Sequence, residues 1–298
     1  MNLIKPKKLK TGDTIAIIAP CGSVDFNKIE LSKKYFENLG YKVKLGKNIS
    51  NSSRYMAGTD NERVRDLHDA FLDDEVNAII CARGGYGALR LVDKIDYSIV
   101  RENPKIFCGY SDVTILNLIF LKCAGLISFS APMAQSDFLD NADDRTKTCF
   151  FNTLSSGRLN IQPKSGKVYN SGAVSGILLG GNLSTVASLC GLDFLPDEKF
   201  IFFAEDLNEP VYKIDRYFTQ LLNYSKFRDN LSAILIGDFL DLDDKDYFDE
   251  LLTEISENLN VPVISGYPFS HSKVKATVPV GANVNLENTI ILADDFMV

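Results

Sequence analysis

Apolar residues along this chain recur in two periods that take turns. Residues 14–19, 77–81, 105–110 and 126–130 are short, nearly continuous runs of Ile, Ala, Phe, Cys and similar side chains, the pattern of strands buried on both faces. Between them, residues 25–39, 60–74, 88–95 and 112–122 space their apolar side chains three and four apart, which predicts helices with one buried stripe. Gly40 ends the first of these helices, and the strand-like run 41–45 follows. Strands that alternate with helices predict a largely parallel, doubly wound sheet, because parallel neighbours need a crossover and the crossover covers a face.

The alternation fades over residues 152–172, which are rich in Ser, Gly, Asn and Lys and read as a linker. Beyond it come a glycine-rich stretch at 180–191, an apolar run from Phe200 into Glu205 and Asp206, a helical pattern at 210–222 and strand-like runs at 232–237, 261–264 and 276–280. The expectation is an N-terminal α/β domain over residues 1–160 and a second, mixed α/β domain over residues 173–298, with the functional site at their interface.

Composition narrows the partners. A length of 298 residues with 45% hydrophobic and 24% charged side chains is that of a globular chain. The net charge of −7 argues against nucleic acid, whose binders present a basic face. No run is long and apolar enough for a membrane span or a leader, so neither membrane nor export is expected. The six cysteines form no Cys-x-x-Cys pair and are expected to be reduced in a cytoplasmic protein. Cys81 and Cys108 stand near the candidate chemistry but lie inside strand runs, where packing accounts for them. Two histidines without paired cysteines make no zinc site, and residues 241–246 lack the glycine and final glutamate of a calcium loop. The expected metal is none and the expected cofactor is none.

Candidate chemistry collects where strand patterns stop. In Gly109-Tyr-Ser-Asp112 an apolar run breaks just before a helical one, which places Ser111 on a strand-to-helix elbow. There a hydroxyl is pushed out of the sheet while the first amides of the next helix, Asp112 among them, point free N–H groups at what it attacks. Val113 stands where the hydrolase elbow has its second glycine, so a serine that merely satisfies helix amides is the competing reading. A serine nucleophile needs a base. His68 falls on the flank of a helical stripe, where a surface role is expected, whereas His271 lies in an irregular loop between two strand patterns and reads as either the base or a satisfied loop residue. Glu205 and Asp206 end an apolar run before a helix that opens at Pro210, and either orient a histidine or cap that helix. Arg83-Gly-Gly-Tyr-Gly87 lets the backbone approach a ligand closely. It is a poor dinucleotide fingerprint, since Arg90 replaces the third glycine and no Gly-Lys-Ser/Thr follows. Arg83 itself suits a substrate carboxylate or a buried ion pair.

Six segments in order, Ile15-Ala-Ile-Ile-Ala-Pro20, Ala82-Arg-Gly-Gly-Tyr-Gly87, Gly109-Tyr-Ser-Asp112, Gly180-Gly-Asn-Leu183, Ala204-Glu-Asp206 and Pro279-Val-Gly281, resemble the LD-carboxypeptidase family, which includes murein tetrapeptide carboxypeptidases and microcin-immunity peptidases. The resemblance runs over residues 13–294. It implies a metal-free serine peptidase with Ser111 as nucleophile, Glu205 as orienting acid and His271 as base, a backbone oxyanion site from Gly84 or Gly85 with Asp112, and a homodimer. The chain departs from the family in carrying Ser270 where glycine usually precedes the histidine. The implied reaction cleaves an amide between an L-centre and a terminal D-amino acid, with D-alanine release from murein tetrapeptide preferred. Hydrolysis of a microcin-type aminoacyl-nucleotide is the alternative within the family, and a non-catalytic ligand-binding protein is the alternative outside it.

Overall fold

A computed structural model describes residues 2–139 and 142–298 of the chain. The N-terminal half supplies β1 (Thr14–Ile18), α1 (Phe26–Asn38), β2 (Lys42–Leu45), α2 (Asp60–Leu72), β3 (Val76–Cys81), α3 (Tyr97–Glu102), β4 (Ile106–Cys108), α4 (Thr114–Ile119), β5 (Ser128–Ser130), α5 (Ala134–Asp137) and α6 (Asp144–Ser156). The C-terminal half supplies β6 (Leu159–Ile161), β7 (Val168–Asn170), β8 (Val174–Asn182), α7 (Leu183–Ala187), β9 (Phe200–Leu207), α8 (Val211–Asn223), α9 (Ser225–Asn230), β10 (Leu231–Leu240), α10 (Lys245–Leu259), β11 (Val263–Ser265), β12 (Val278–Val280), β13 (Asn283–Glu287) and β14 (Ile290–Ala293).

Local chemistry sets the helix starts. Asp25 caps α1 by accepting from the Asn27 N–H, and Thr59 and Glu62 form a reciprocal capping box at α2. The stripes of α1 and α2 bury Ile29 and Phe36, and Val64, Leu67 and Phe71, against the first sheet.

That first sheet runs β12-β5-β4-β3-β1-β2, parallel from β2 to β5 and closed by antiparallel β12. Its order reverses between β1 and β3, so the loops after these two strands diverge and leave a crevice at their C-terminal ends, the usual ligand position in such sheets. The second sheet runs β6-β14-β13-β8-β9-β10-β11-β7, with a parallel centre from β8 to β11 and antiparallel strands on either side. The two-sheet α/β architecture is the one expected.

Three expectations change. Residues 152–172 are not a linker: they hold the end of α6 and then β6 and β7, which add to the second sheet through β14 and β11. Weak periodicity there reflects strands of only three residues each, too short to show a period. Helical pattern 88–95 gives only a 3₁₀ turn at Ala88–Leu91, because Asp96 caps a new helix, α3, immediately afterwards. Finally, β12 lies late in the chain yet pairs with β5, so the first sheet is completed from the C-terminal half.

The halves meet closely at the end of β8. Gly181 has φ +140°, and a Cβ there would come 2.5 Å from Thr114 Oγ1 on α4. The next residue, Asn182, donates its N–H to that same hydroxyl at 3.3 Å. Gly181→Ala therefore meets both a disfavoured backbone angle and a clash, and is expected to destabilise the protein by about 1–3 kcal/mol in urea denaturation.

Candidate active site

Ser111 follows β4 at the turn into a 3₁₀ segment, Ser111–Val113, that leads directly into α4. Its φ is +64°, a left-handed conformation that side chains other than glycine adopt at a cost. Tyr110 before it is extended, with φ −132° and ψ −171°, so the chain reverses within one residue. Gly109 makes room for this: a Cβ there would lie 2.7 Å from the Val113 side chain. Valine at 113 thus packs on the glycine two residues before the serine, which is how the elbow closes without a second glycine after it.

The glycine loop lies against the serine. A Cβ on Gly84 would lie 2.9 Å from Ser111 Oγ and 3.4 Å from the Asp112 nitrogen, while Gly85 takes φ +109°. Gly84 and Asp112 therefore border the same space at the hydroxyl. Asp112 also ties loop to elbow, since its buried carboxylate accepts the Ala88 N–H at 2.9 Å. Burial pushes its carboxyl above the usual range, and the Ala88 N–H opposes that shift.

Glu205 lies in β9, which runs two residues past it to Leu207. Its Oε2 is 2.6 Å from His271 Nδ1, with both side chains largely shielded from solvent. Burial raises the Glu205 carboxyl, the contact with His271 opposes the rise, and neighbouring Asp206 adds to it. Asp206 does not compete for the imidazole. It accepts from Asn182 Nδ2, the Ser184 N–H and the Leu207 N–H, and so builds the start of α7. Glu209, just before α8, pairs with Lys213 on that helix at 3.2 Å. The departure at Ser270 has a visible use: its Oγ accepts the Ser272 N–H at 2.7 Å, bracing the loop around His271.

His271 reaches the elbow through Tyr110, the two rings lying in a T-shaped arrangement with centroids 4.9 Å apart. Beside them lies a cavity of about 150 Å³ lined by Tyr110, Asp137, Thr146, His271, Lys273 and Lys275, among others. His68 stands apart on α2. It is half-buried rather than a free surface group, and its Nε2 accepts the Asp96 N–H at 3.0 Å. Arg83 donates to the Ser23 carbonyl at 3.1 Å and has no ion pair among the described residues. No cluster of metal-binding side chains occurs among the described residues.

Sequence reading missed several supports. Arg63 is fully buried and donates to the carbonyls of Pro20 and Gly87, which lie in the loops after β1 and β3, while pairing with Asp60 at 2.6 Å. One guanidinium thus fixes both walls of the crevice. Its sole trace in the sequence is a place on the same helical face as Leu67. Lys275 and Asp137 form a buried ion pair at 2.5 Å, 138 residues apart, for which no local pattern exists.

Comparison with known proteins gives a consistent result. Residues 15–131 match the LD-carboxypeptidase N-terminal domain, and residues 175–286 match the LD-carboxypeptidase C-terminal domain. A probable murein peptide carboxypeptidase of Bacillus subtilis is 36% identical, with 93% of this chain and 90% of that protein covered. Among solved structures, the muramoyltetrapeptide carboxypeptidase from Oxalobacter formigenes is 32% identical with a TM-score of 0.87, covering 96% of this chain and 100% of that one. An MccF-like protein from Bacillus anthracis strain Ames is 28% identical with a TM-score of 0.90, covering 97% and 98%.

The backbone angle at position 111 can be tested independently of chemistry. Ser111→Gly removes the left-handed penalty, whereas Ser111→Ala keeps a Cβ at the same angle. The glycine variant is expected to be the more stable of the two by about 1 kcal/mol in urea denaturation.

Proposed function

The chain belongs to the LD-carboxypeptidase family, and from that premise we propose that Ser111, His271 and Glu205 form the triad of a serine peptidase that releases D-alanine from murein tetrapeptide. The observation that carries the reading is the 2.6 Å contact between buried Glu205 and His271, whose imidazole lies against Tyr110, the residue before Ser111. Murein substrates appear in the names of two of the similar proteins described above, those from Bacillus subtilis and Oxalobacter formigenes.

In this scheme His271, held at Nδ1 by Glu205, takes the proton of Ser111 as Oγ attacks the scissile carbonyl. The tetrahedral oxyanion is received by the Asp112 N–H together with an N–H of Gly84 or Gly85, worth about 3 kcal/mol for each donor. His271 then returns the proton to the departing amine of the D-amino acid, and water hydrolyses the acyl-enzyme by the same route. Arg83, with N–H groups to spare beyond its bond to Ser23, is assigned to the peptide's carboxylate. No metal or cofactor takes part in these steps. Unpaired cysteines fit a cytoplasmic setting, and no helix among the described residues is long and apolar enough to cross a membrane. A homodimer is the proposed assembly.

Mass spectrometry of murein tetrapeptide incubated with the protein is expected to show tripeptide and free alanine. An aminoacyl-nucleotide run in parallel separates the microcin-type activity, and its hydrolysis with tetrapeptide left intact would overturn the proposal. Ser111→Ala and His271→Ala are each expected to lower kcat by about 10³-fold or more, with the double variant hardly worse because triad members act as a unit. Glu205→Gln is expected to fall by about 10²–10⁴-fold through loss of imidazole orientation, and His68→Ala to stay near the wild-type rate.

A further inference from the structure

Burying a lysine and an aspartate beside a catalytic imidazole calls for a reason other than stability, since such pairs are often no more stabilising than the apolar residues that could replace them. Lys275 and Asp137 are respectively 5% and 6% exposed. Asp137 ends α5, and its second oxygen accepts the Met133 N–H and the Ser136 hydroxyl at 2.9 and 2.8 Å, so the carboxylate is fixed before it meets the lysine. Lys275 Nζ lies 4.7 Å from the Tyr110 ring centroid and 3.4 Å from its hydroxyl. Behind it, the Lys275 N–H donates to Thr146 Oγ1 at 2.9 Å, and that hydroxyl donates to the Lys273 carbonyl at 2.8 Å.

These contacts form one chain of touching groups. It leads from Asp137 through Lys275 to Tyr110, and from the ring of Tyr110 to His271. Tyr110 is the residue before Ser111, and Lys275 is four residues after His271. Each end of the proposed proton transfer is thereby tethered to the same ammonium group.

We propose that the buried Lys275–Asp137 pair is a positioning device for the reaction: by pinning Tyr110 it sets the register between the His271 imidazole and the Ser111 hydroxyl. The pair holds no proton of the reaction and touches no reacting atom. A cation over the face of a tyrosine is held by the ring's quadrupole, and desolvation strengthens that hold. The inference rests on His271 being the base.

The test is steady-state kinetics on Lys275→Met/Asp137→Asn, which neutralises both partners together and avoids leaving one buried charge alone. The double variant is expected to keep a cooperative melting transition, to lose about 10–100-fold in kcat, and to keep KM within about twofold, as a small misplacement of catalytic groups does. Tyr110→Leu is expected to lose a similar factor. The triple variant should be no slower than the slower of the two, because both changes cut the same tether. A folded double variant with kcat within threefold of wild type overturns the proposal. So does loss of cooperative folding, a rise in KM that accounts for the whole effect, or losses that multiply in the triple variant. His271→Ala separates the two levels: an inactive His271→Ala beside a fully active double variant rejects only the positioning role, whereas an active His271→Ala rejects the base on which it rests.

Discussion

The left-handed backbone at Ser111 is the constraint around which the rest of the site is arranged. A non-glycine residue stays there only if its surroundings over-determine it, at a cost of about 1–3 kcal/mol. Several features do so. Val113 closes onto Gly109, Asn117 donates to the Gly109 carbonyl at 2.9 Å, and Gly84 leaves the space that a side chain would take from the hydroxyl. Asp112 then locks the elbow to the turn that begins at Ala88. The strain and the exposure of the hydroxyl have one origin, because the turn that bends the backbone also lifts the side chain out of the sheet.

From the elbow outward, each wall is held by a buried polar group that bonds to backbone. Arg63 spans the loops after β1 and β3 from beneath, and Asp206 organises the start of α7 beside Glu205. Buried polar groups of this sort have little freedom to choose other partners, so they specify one arrangement more than they add to stability. Glu205 sits among them, with burial raising its carboxyl above the usual range and the contact with His271 opposing the rise.

How much of this was legible in the sequence follows from how local each signal is. Glycines at 84, 85 and 109 and the serine between a strand and a helix could be read because backbone geometry dictates residue type within a few positions. So could the strands, whose burial on both faces writes a continuous apolar run. Position 113 resisted that logic: a valine looked wrong for an elbow, yet it packs on the glycine four residues earlier. The edge strands β6 and β7 looked like a linker because each is three residues long and its pairing partner lies far along the chain. Lys275, Asp137 and Arg63 were invisible for a related reason. Their partners are set by tertiary contact, and a single charged residue carries no period.

One topological feature gives the site a mechanical character. The segment bearing His271 leaves β11 in the second sheet and arrives at β12 in the first, so it is a strap stretched between the two layers. Its first residues are held to β10, where the Tyr267 N–H donates to the Ile236 carbonyl and the Phe269 carbonyl accepts the Asp238 N–H, so a slip of one layer against the other is felt along the rest of it. The imidazole is therefore a gauge of alignment. A chain whose two sheets are each intact but slightly out of true would be folded by every bulk measure and yet hold this imidazole in the wrong place.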